Sequence, residues 1–250
     1  MYADSKAAMA TAEDLIASMD EASVDVSVVC NIGWVSQKLC EETNDYLLDS
    51  AKKYHGRLVP FCAVNPANGK SAAGEVERCA GRGAKGIGEL HPDTQGFDLG
   101  DKNVMKPVMD AAMRNGMVVL THASEPVGHL YAGKGRMTPD VLGQFIGNFP
   151  DSAIVCAHWG GGLPFYALMP EMAVAMRNVY FDCAASPLLY GIGVFETVTK
   201  LVGVGRILFG TDYPLIKQKQ LLKQVVASAL SKEDKGLILG GNAKKLLRLN

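Results

Sequence analysis

The chain has 250 residues, 48% of them hydrophobic and 20% charged, with a formal net charge of -1. That near-neutral balance excludes the electrostatic footprint of a nucleic-acid binder or of a protein held on an anionic membrane, so a small-molecule substrate is the expected partner. The length suffices to bury a full core, and no run approaches the ~20 apolar residues of a membrane helix.

Taken in chain order, Thr11 and Asp14 have capping-box spacing and predict a helix to about Ala22. VSVVCNIG (26–33) is the first strand-like run, and a helix is predicted over 37–54, stopping before Gly56. The runs LVPFCAV (58–64) and KGIGEL (85–90) come next, and then a helix over 104–115 with Gly116 at its C′ position. MVVLTH (117–122) precedes Thr138-Pro139, which reads as an N-cap with proline at the first helical position. AIVCAH (153–158), VYFDCA (179–184) and RILFGTD (206–212) complete seven strands, with closing helices over 218–230 and 242–249.

Strand-like runs recurring at roughly 25 to 35 residues, separated by helical stretches, are the pattern of βα units around a parallel sheet. No Pro/Gly/Ser-rich linker interrupts them, so one domain over 1–250 is expected. The glycines of GRGAKGIGEL enter a strand instead of leading from a strand into a helix, so they are no dinucleotide fingerprint. The six cysteines include no CxxC pair and read as reduced, buried thiols. With no secretory signal at the N-terminus, a cytoplasmic location is expected.

Three of these runs end on a residue that binds metals or moves protons: His122, His158 and Asp212, with Glu89 similarly placed at the end of GIGEL. Ligands at the C-terminal tips of parallel strands are how a (β/α)8 barrel builds an active site, which favours that fold over an open sheet. A buried histidine satisfied by backbone is the bland alternative for either histidine alone, and a turn aspartate is the bland alternative for Asp212. Together they offer imidazole nitrogen and carboxylate oxygen, a donor set that suits zinc, manganese or iron. The glycines after His158 read as an approach to a ligand at a helix N-terminus. Glu89, His91 and Trp159 are candidate substrate contacts, and Arg136 is a weaker one for a carboxylate. Trp34, Phe165, Tyr166 and Tyr213 add a faint preference for an apolar or aromatic substrate. His129 reads as a solvated loop residue, His55 as a helix-end partner, and Lys85 lies at the wrong end of its strand. There is no GxSxG nucleophile motif.

THASEPVGH, AHWGGGLPFY, VYFDCAAS, ILFGTDYP and the closing GGNAKKLLRL, in that order, resemble the amidohydrolase-related (amidohydrolase 2) family of metal-dependent TIM-barrel hydrolases and decarboxylases. The resemblance implies a metal ligand at His122, an acid/base or water-activating residue at His158, and at Asp212 a ligand that also shuttles protons. It implies a divalent cation, zinc in first place with manganese or iron as alternatives, and hydrolysis by an activated water. The alternatives are nonoxidative decarboxylation of a small carboxylic acid, or a catalytically silent barrel serving as a binding module. The family's opening strand carries His-x-His, and no HxH occurs in this sequence. The expectation is therefore an incomplete barrel of seven strands lacking the first, with metal held by His122 and Asp212 alone bound weakly. Either an upstream segment supplies the missing strand or the seam is open, and an open seam would promote self-association.

Overall fold

Helix α1 (Ala12–Ala22) opens on the predicted capping box: Asp14 N–H donates to Thr11 Oγ1, and Thr11 N–H donates back to the Asp14 carboxylate. The structure, a computed structural model, describes residues 9–131 and 133–249. Within them lie seven strands: β1 (Ser27–Val29), β2 (Leu58–Cys62), β3 (Gly86–Leu90), β4 (Val118–Thr121), β5 (Ile154–Cys156), β6 (Val179–Asp182) and β7 (Ile207–Leu208). Each falls inside a predicted run and is shorter than it; β4, β5 and β7 end before His122, His158 and Asp212, whereas β3 includes Glu89.

All neighbouring pairs are parallel and the order is β1 to β7 in sequence. The period-two alternation of a strand sorts the side chains into two clusters. Val119, Ile154, Cys156, Val179 and Phe181 pack outward with the helices. Val59, Phe61, Val118, Val155 and Leu208, from four strands, pack on one another and on Leu247. Side chains of β2 and β7 can share a cluster only on the concave side of a curled sheet. Gly86 makes room for the Phe61 ring there, since a Cβ at that position would lie 2.5 Å from it.

Among the described residues the sheet is an incomplete barrel of the (β/α)8 type, with no strand between β1 and β7. The outer layer does close over that position: α1 meets the helix Gln218–Ala227, with Ser18 Oγ donating to Gln218 Oε1 at 2.5 Å and Tyr213 Oη to the Asp14 carbonyl at 3.2 Å. The open edge shows in β1, where Val28 is 40% exposed while every residue of β2 is buried. It also corrects the reading of the cysteines. All six are free thiols and five are buried, but Cys30 is exposed because it follows the edge strand.

Helix boundaries differ in instructive ways. The helix predicted over 104–115 starts earlier, at Lys102, because Asp101 caps it by accepting from Asn103 and Val104 N–H. The closing helices stop at Ala227 and Leu246. Thr138 is the predicted N-cap of Pro139–Asn148, but its hydroxyl donates to the Asp140 carboxylate and caps no backbone N–H. Among the described residues no helix is long and apolar enough to cross a membrane.

Candidate active site

The strand ends bring five of the predicted residues together. Glu89 lies within β3, and His122 follows β4 directly, with its N–H donating to the Leu90 carbonyl at 2.8 Å, so the two tips are locked side by side. Glu89 Oε1 sits 2.9 Å from His122 Nδ1. One donor atom each from Glu89, His122 and His158 lie within 4.8 Å of one another. Asp212 joins through His158, whose Nε2 is 3.6 Å from Asp212 Oδ2. His91 completes the group, its ring stacked on His122 with centroids 4.2 Å apart.

His158 is held by a turn that sequence reading took for the start of an ordinary helix. The turn is left-handed instead: φ is positive at His158 (54°), Trp159 (57°), Gly160 (58°), Gly161 (57°) and Gly162 (94°). Each non-glycine residue in that region costs about 1–2 kcal/mol, and several bonds offset the cost. His158 N–H donates to Asp182 Oδ1 at 2.9 Å, and the Trp159 indole N–H donates to Ser186 Oγ at 3.0 Å. Gly161 packs on the backbone of Ser124, whose oxygen would lie 2.3 Å from a Cβ there, and Gly160 packs on the Phe181 ring. The glycines of WGGG therefore serve turn geometry and close packing of the His158 and His122 loops, and no helix N-terminus is presented to an anion.

Trp159 itself is fully buried, edge-on to Phe195, with centroids 5.1 Å apart. The structure thus places it in the core, behind His158 and apart from the cluster of titratable groups. Arg136 is directed to Asp93, at 2.7 Å, and its side chain is 88% exposed. His129 is exposed, Trp34 donates to Thr43, and Phe165 and Tyr166 are partly exposed on the segment after the left-handed turn.

Charge is unevenly divided. Burial alone would raise Glu89, but the His122 hydrogen bond and the surrounding imidazoles bring it down to about 2. Burial would likewise suppress a charged His158, yet the Asp212 carboxylate 3.6 Å away and the fields of Glu89 and Asp182 outweigh it and hold the imidazolium up to about 10. His91 moves the other way, lowered by burial and by the charge of His122. Asp182 is raised by burial, although it accepts two backbone N–H bonds, from His158 and Ala184.

Sequence reading missed Asp182, Ser124 and the left-handed turn. Asp182 ends β6 as His122 follows β4, so the same strand-tip rule picks it out. Ser124 bridges His122 Nε2 (3.1 Å) and the Gly135 N–H (2.9 Å), a role visible only once the loop has folded back.

The donor set fits a divalent cation. It combines a carboxylate with two imidazoles, and beside it His91 Nε2 is a buried nitrogen with no hydrogen-bond partner. Such mixed nitrogen and oxygen donors suit zinc or manganese. The Glu89–His122 contact also has the form of a carboxylate orienting a ligand imidazole.

The family model for amidohydrolases matches residues 5–249. The chain belongs to the amidohydrolase family. Solved structures share its fold at low identity. An amidohydrolase II matches with TM-score 0.80 at 19% identity, covering 97% of this chain and 90% of its own. The 5-carboxyvanillate decarboxylase of Sphingomonas paucimobilis matches with TM-score 0.78 at 17% identity, covering 94% and 82%. A dihydroxybenzoic acid decarboxylase from Polaromonas sp. JS666, with bound manganese and the inhibitor 2-nitroresorcinol, matches with TM-score 0.76 at 18% identity, covering 94% and 85%. At these identities the likeness to this amidohydrolase-family chain is one of fold.

Proposed function

We propose that the chain is a metal-dependent nonoxidative decarboxylase of a small carboxylic acid. The observation that carries this reading is the division of the site into two carboxylate–imidazole pairs, Glu89–His122 at 2.9 Å and Asp212–His158 at 3.6 Å. Decarboxylation needs a group that holds a proton at neutral pH and delivers it to carbon as CO2 leaves. Hydrolysis needs an unprotonated base at that position. His158 beside Asp212 suits the first task, and the expected hydrolytic role for His158 suits it less. Decarboxylases of the same fold lend support.

In this reading Glu89 and His122 would hold the cation, and the protonated His158 would stand beside it as proton donor and not as ligand, with Asp212 reaching the site from the side of His158. A divalent cation bound there would neutralise and orient the acidic oxygens of the substrate. The bond from ring or chain carbon to the carboxylate breaks, its electron pair stays on the carbon, and the His158 Nε2 proton is transferred to that carbon. Asp212 steadies the imidazolium before transfer, and solvent restores the proton afterwards. Glu89 remains ionised and fixes the orientation of His122, while His91 stays neutral and presents Nε2 to the site. The buried left-handed turn keeps His158 from swinging out.

The test is incubation of manganese-loaded protein in D2O with a panel of hydroxylated benzoic acids. CO2 release with one deuterium at the vacated carbon is expected, and it should be lost in His158→Asn with metal content unchanged. Turnover of amides or lactones without CO2 would favour the hydrolytic alternative, with zinc as a candidate metal. Substoichiometric metal and no turnover with either metal would leave the silent-barrel reading.

A further inference from the structure

His122 has partners on both ring nitrogens, and a cation can displace only one of them cheaply. Nδ1 faces Glu89 Oε1 at 2.9 Å, and Nε2 faces Ser124 Oγ at 3.1 Å. Donors bound to one cation at about 2.0–2.2 Å lie roughly 3 Å apart, so spacing alone suits either side. The surroundings decide between them. Ser124 is fully buried, and its Oγ also accepts from the Gly135 N–H at 2.9 Å. Gly135 closes this side of the ring: a Cβ there would lie 3.5 Å from His122 Cδ2, 3.6 Å from Ser124 Oγ and 2.6 Å from Asp93 Oδ2. The Asp93 carboxylate is itself taken by Arg136, whose backbone N–H and Nε donate to it at 2.6 and 2.7 Å. The Ser124 N–H is tied as well, donating to the Met137 carbonyl at 2.9 Å. A Ser124 hydroxyl swung aside to admit a cation would leave the buried Gly135 N–H without its acceptor, which is costly. On the Nδ1 side stands the Glu89 carboxylate, and donor atoms of Glu89, His122 and His158 lie within 4.8 Å of one another.

We infer that Ser124 is a positioning residue for the cation site: it holds the His122 Nε2 hydrogen, so that Nδ1 is the nitrogen offered to a cation beside Glu89. The inference takes its cation site from the decarboxylase reading and adds which His122 atom serves that site and what fixes the choice. If Glu89 held the ring hydrogen instead, the cation would have to sit at Nε2, where Ser124 and Gly135 are packed. The Ser124 oxygen can accept both hydrogens, from Gly135 and from His122 Nε2. An imidazole whose outer nitrogen is tied in this way keeps one tautomer and one ring orientation, and it is a better ligand for it. His91, stacked on the same ring with centroids 4.2 Å apart, resists tilting of the ring out of that plane. Asp93 acts one step further out, by keeping Gly135 against Ser124.

The first measurement needs no substitution. Long-range proton–nitrogen correlation NMR of the zinc-loaded, isotope-labelled wild type reads which His122 nitrogen carries the hydrogen. Nε2 is expected, and a hydrogen on Nδ1 with zinc at Nε2 overturns the inference. The second is a manganese titration by calorimetry, wild type against Ser124→Ala. Losing the outer partner of a ligand imidazole should weaken manganese binding by roughly 10- to 100-fold. Unchanged affinity overturns the role, and so does tighter binding, which would make Ser124 a competitor of the cation for Nε2. CO2 release from the wild type, measured on the same samples, keeps this inference apart from the reading it rests on. Weaker manganese binding in Ser124→Ala with no CO2 release overturns decarboxylation and leaves Ser124 in its role. CO2 release with unmoved affinity does the reverse, and a wild type that takes up neither metal overturns both.

Discussion

Gly161→Ala tests the role of the left-handed turn directly, because a second glycine supplies the control. Gly161 has φ of 57°, and a Cβ there would lie 2.3 Å from Ser124 O and 2.6 Å from Ser124 C. Gly116 has a similar φ of 60°, but its Cβ would meet only the Arg248 guanidinium, at 3.6 Å. Both alanines carry the left-handed backbone cost of about 1 kcal/mol. Only Gly161→Ala adds overpacking against backbone, which cannot swing aside as a side chain can, at roughly 1–3 kcal/mol more. At this chain length 1 kcal/mol moves the melting temperature by about 2–4 °C. Gly116→Ala should therefore lower it by about 2–4 °C, and Gly161→Ala by roughly 4–16 °C. Manganese affinity should fall in Gly161→Ala alone, since displacing the Ser124 backbone displaces His122, whose Nε2 lies 3.1 Å from Ser124 Oγ. Calorimetric melting and a manganese titration read both effects. Equal shifts in the two variants, with equal manganese affinity, would refute the claim that the turn and the Ser124 backbone are fitted to one another.

Further outcomes follow from the charges and the packing. The raised His158 contributes stability that is fully present below its unfolded value near 6.5 and is lost as pH rises through about 10. In metal-free protein the urea midpoints of wild type and Asp212→Asn should therefore converge across that window, and parallel curves would count against the pair. Glu89 behaves oppositely: its contribution is present above about 4.5 and is lost as pH falls toward about 2, so Glu89→Gln should flatten the acid limb of the same profile. Arg136→Gln should change the melting temperature by less than about 2 °C, because its pair with Asp93 is largely solvated. A large rise in KM in that variant would restore Arg136 as a substrate-carboxylate contact. Trp159→Phe removes the indole bond to Ser186 and leaves a void, so a loss of about 1–3 kcal/mol is expected by urea denaturation.

The sequence by itself determined the seven parallel strands, the α1 capping box and the strand-tip residues Glu89, His122, His158 and Asp212. These are written in local terms, as short apolar runs and i to i+3 spacings, and a parallel βα chain places its strand tips at one end whatever the loops do. It also shows no HxH, in keeping with a sheet that has, among the described residues, no strand between β1 and β7. What tertiary structure alone decided concerns direction and partnership. WGGG reads equally as a helix start and as a left-handed turn, and only the Ser124 backbone against Gly161 and the Asp182 carboxylate under His158 select the second. Trp159 is assigned to the core and not to substrate because that turn points its indole at Phe195 and Ser186. The division of charge between Glu89–His122 and Asp212–His158 depends on distances of 2.9 and 3.6 Å between residues 33 and 54 positions apart in the chain. Local sequence carries no term for such distances; they are fixed by the curl of the sheet and by the close packing of its loops.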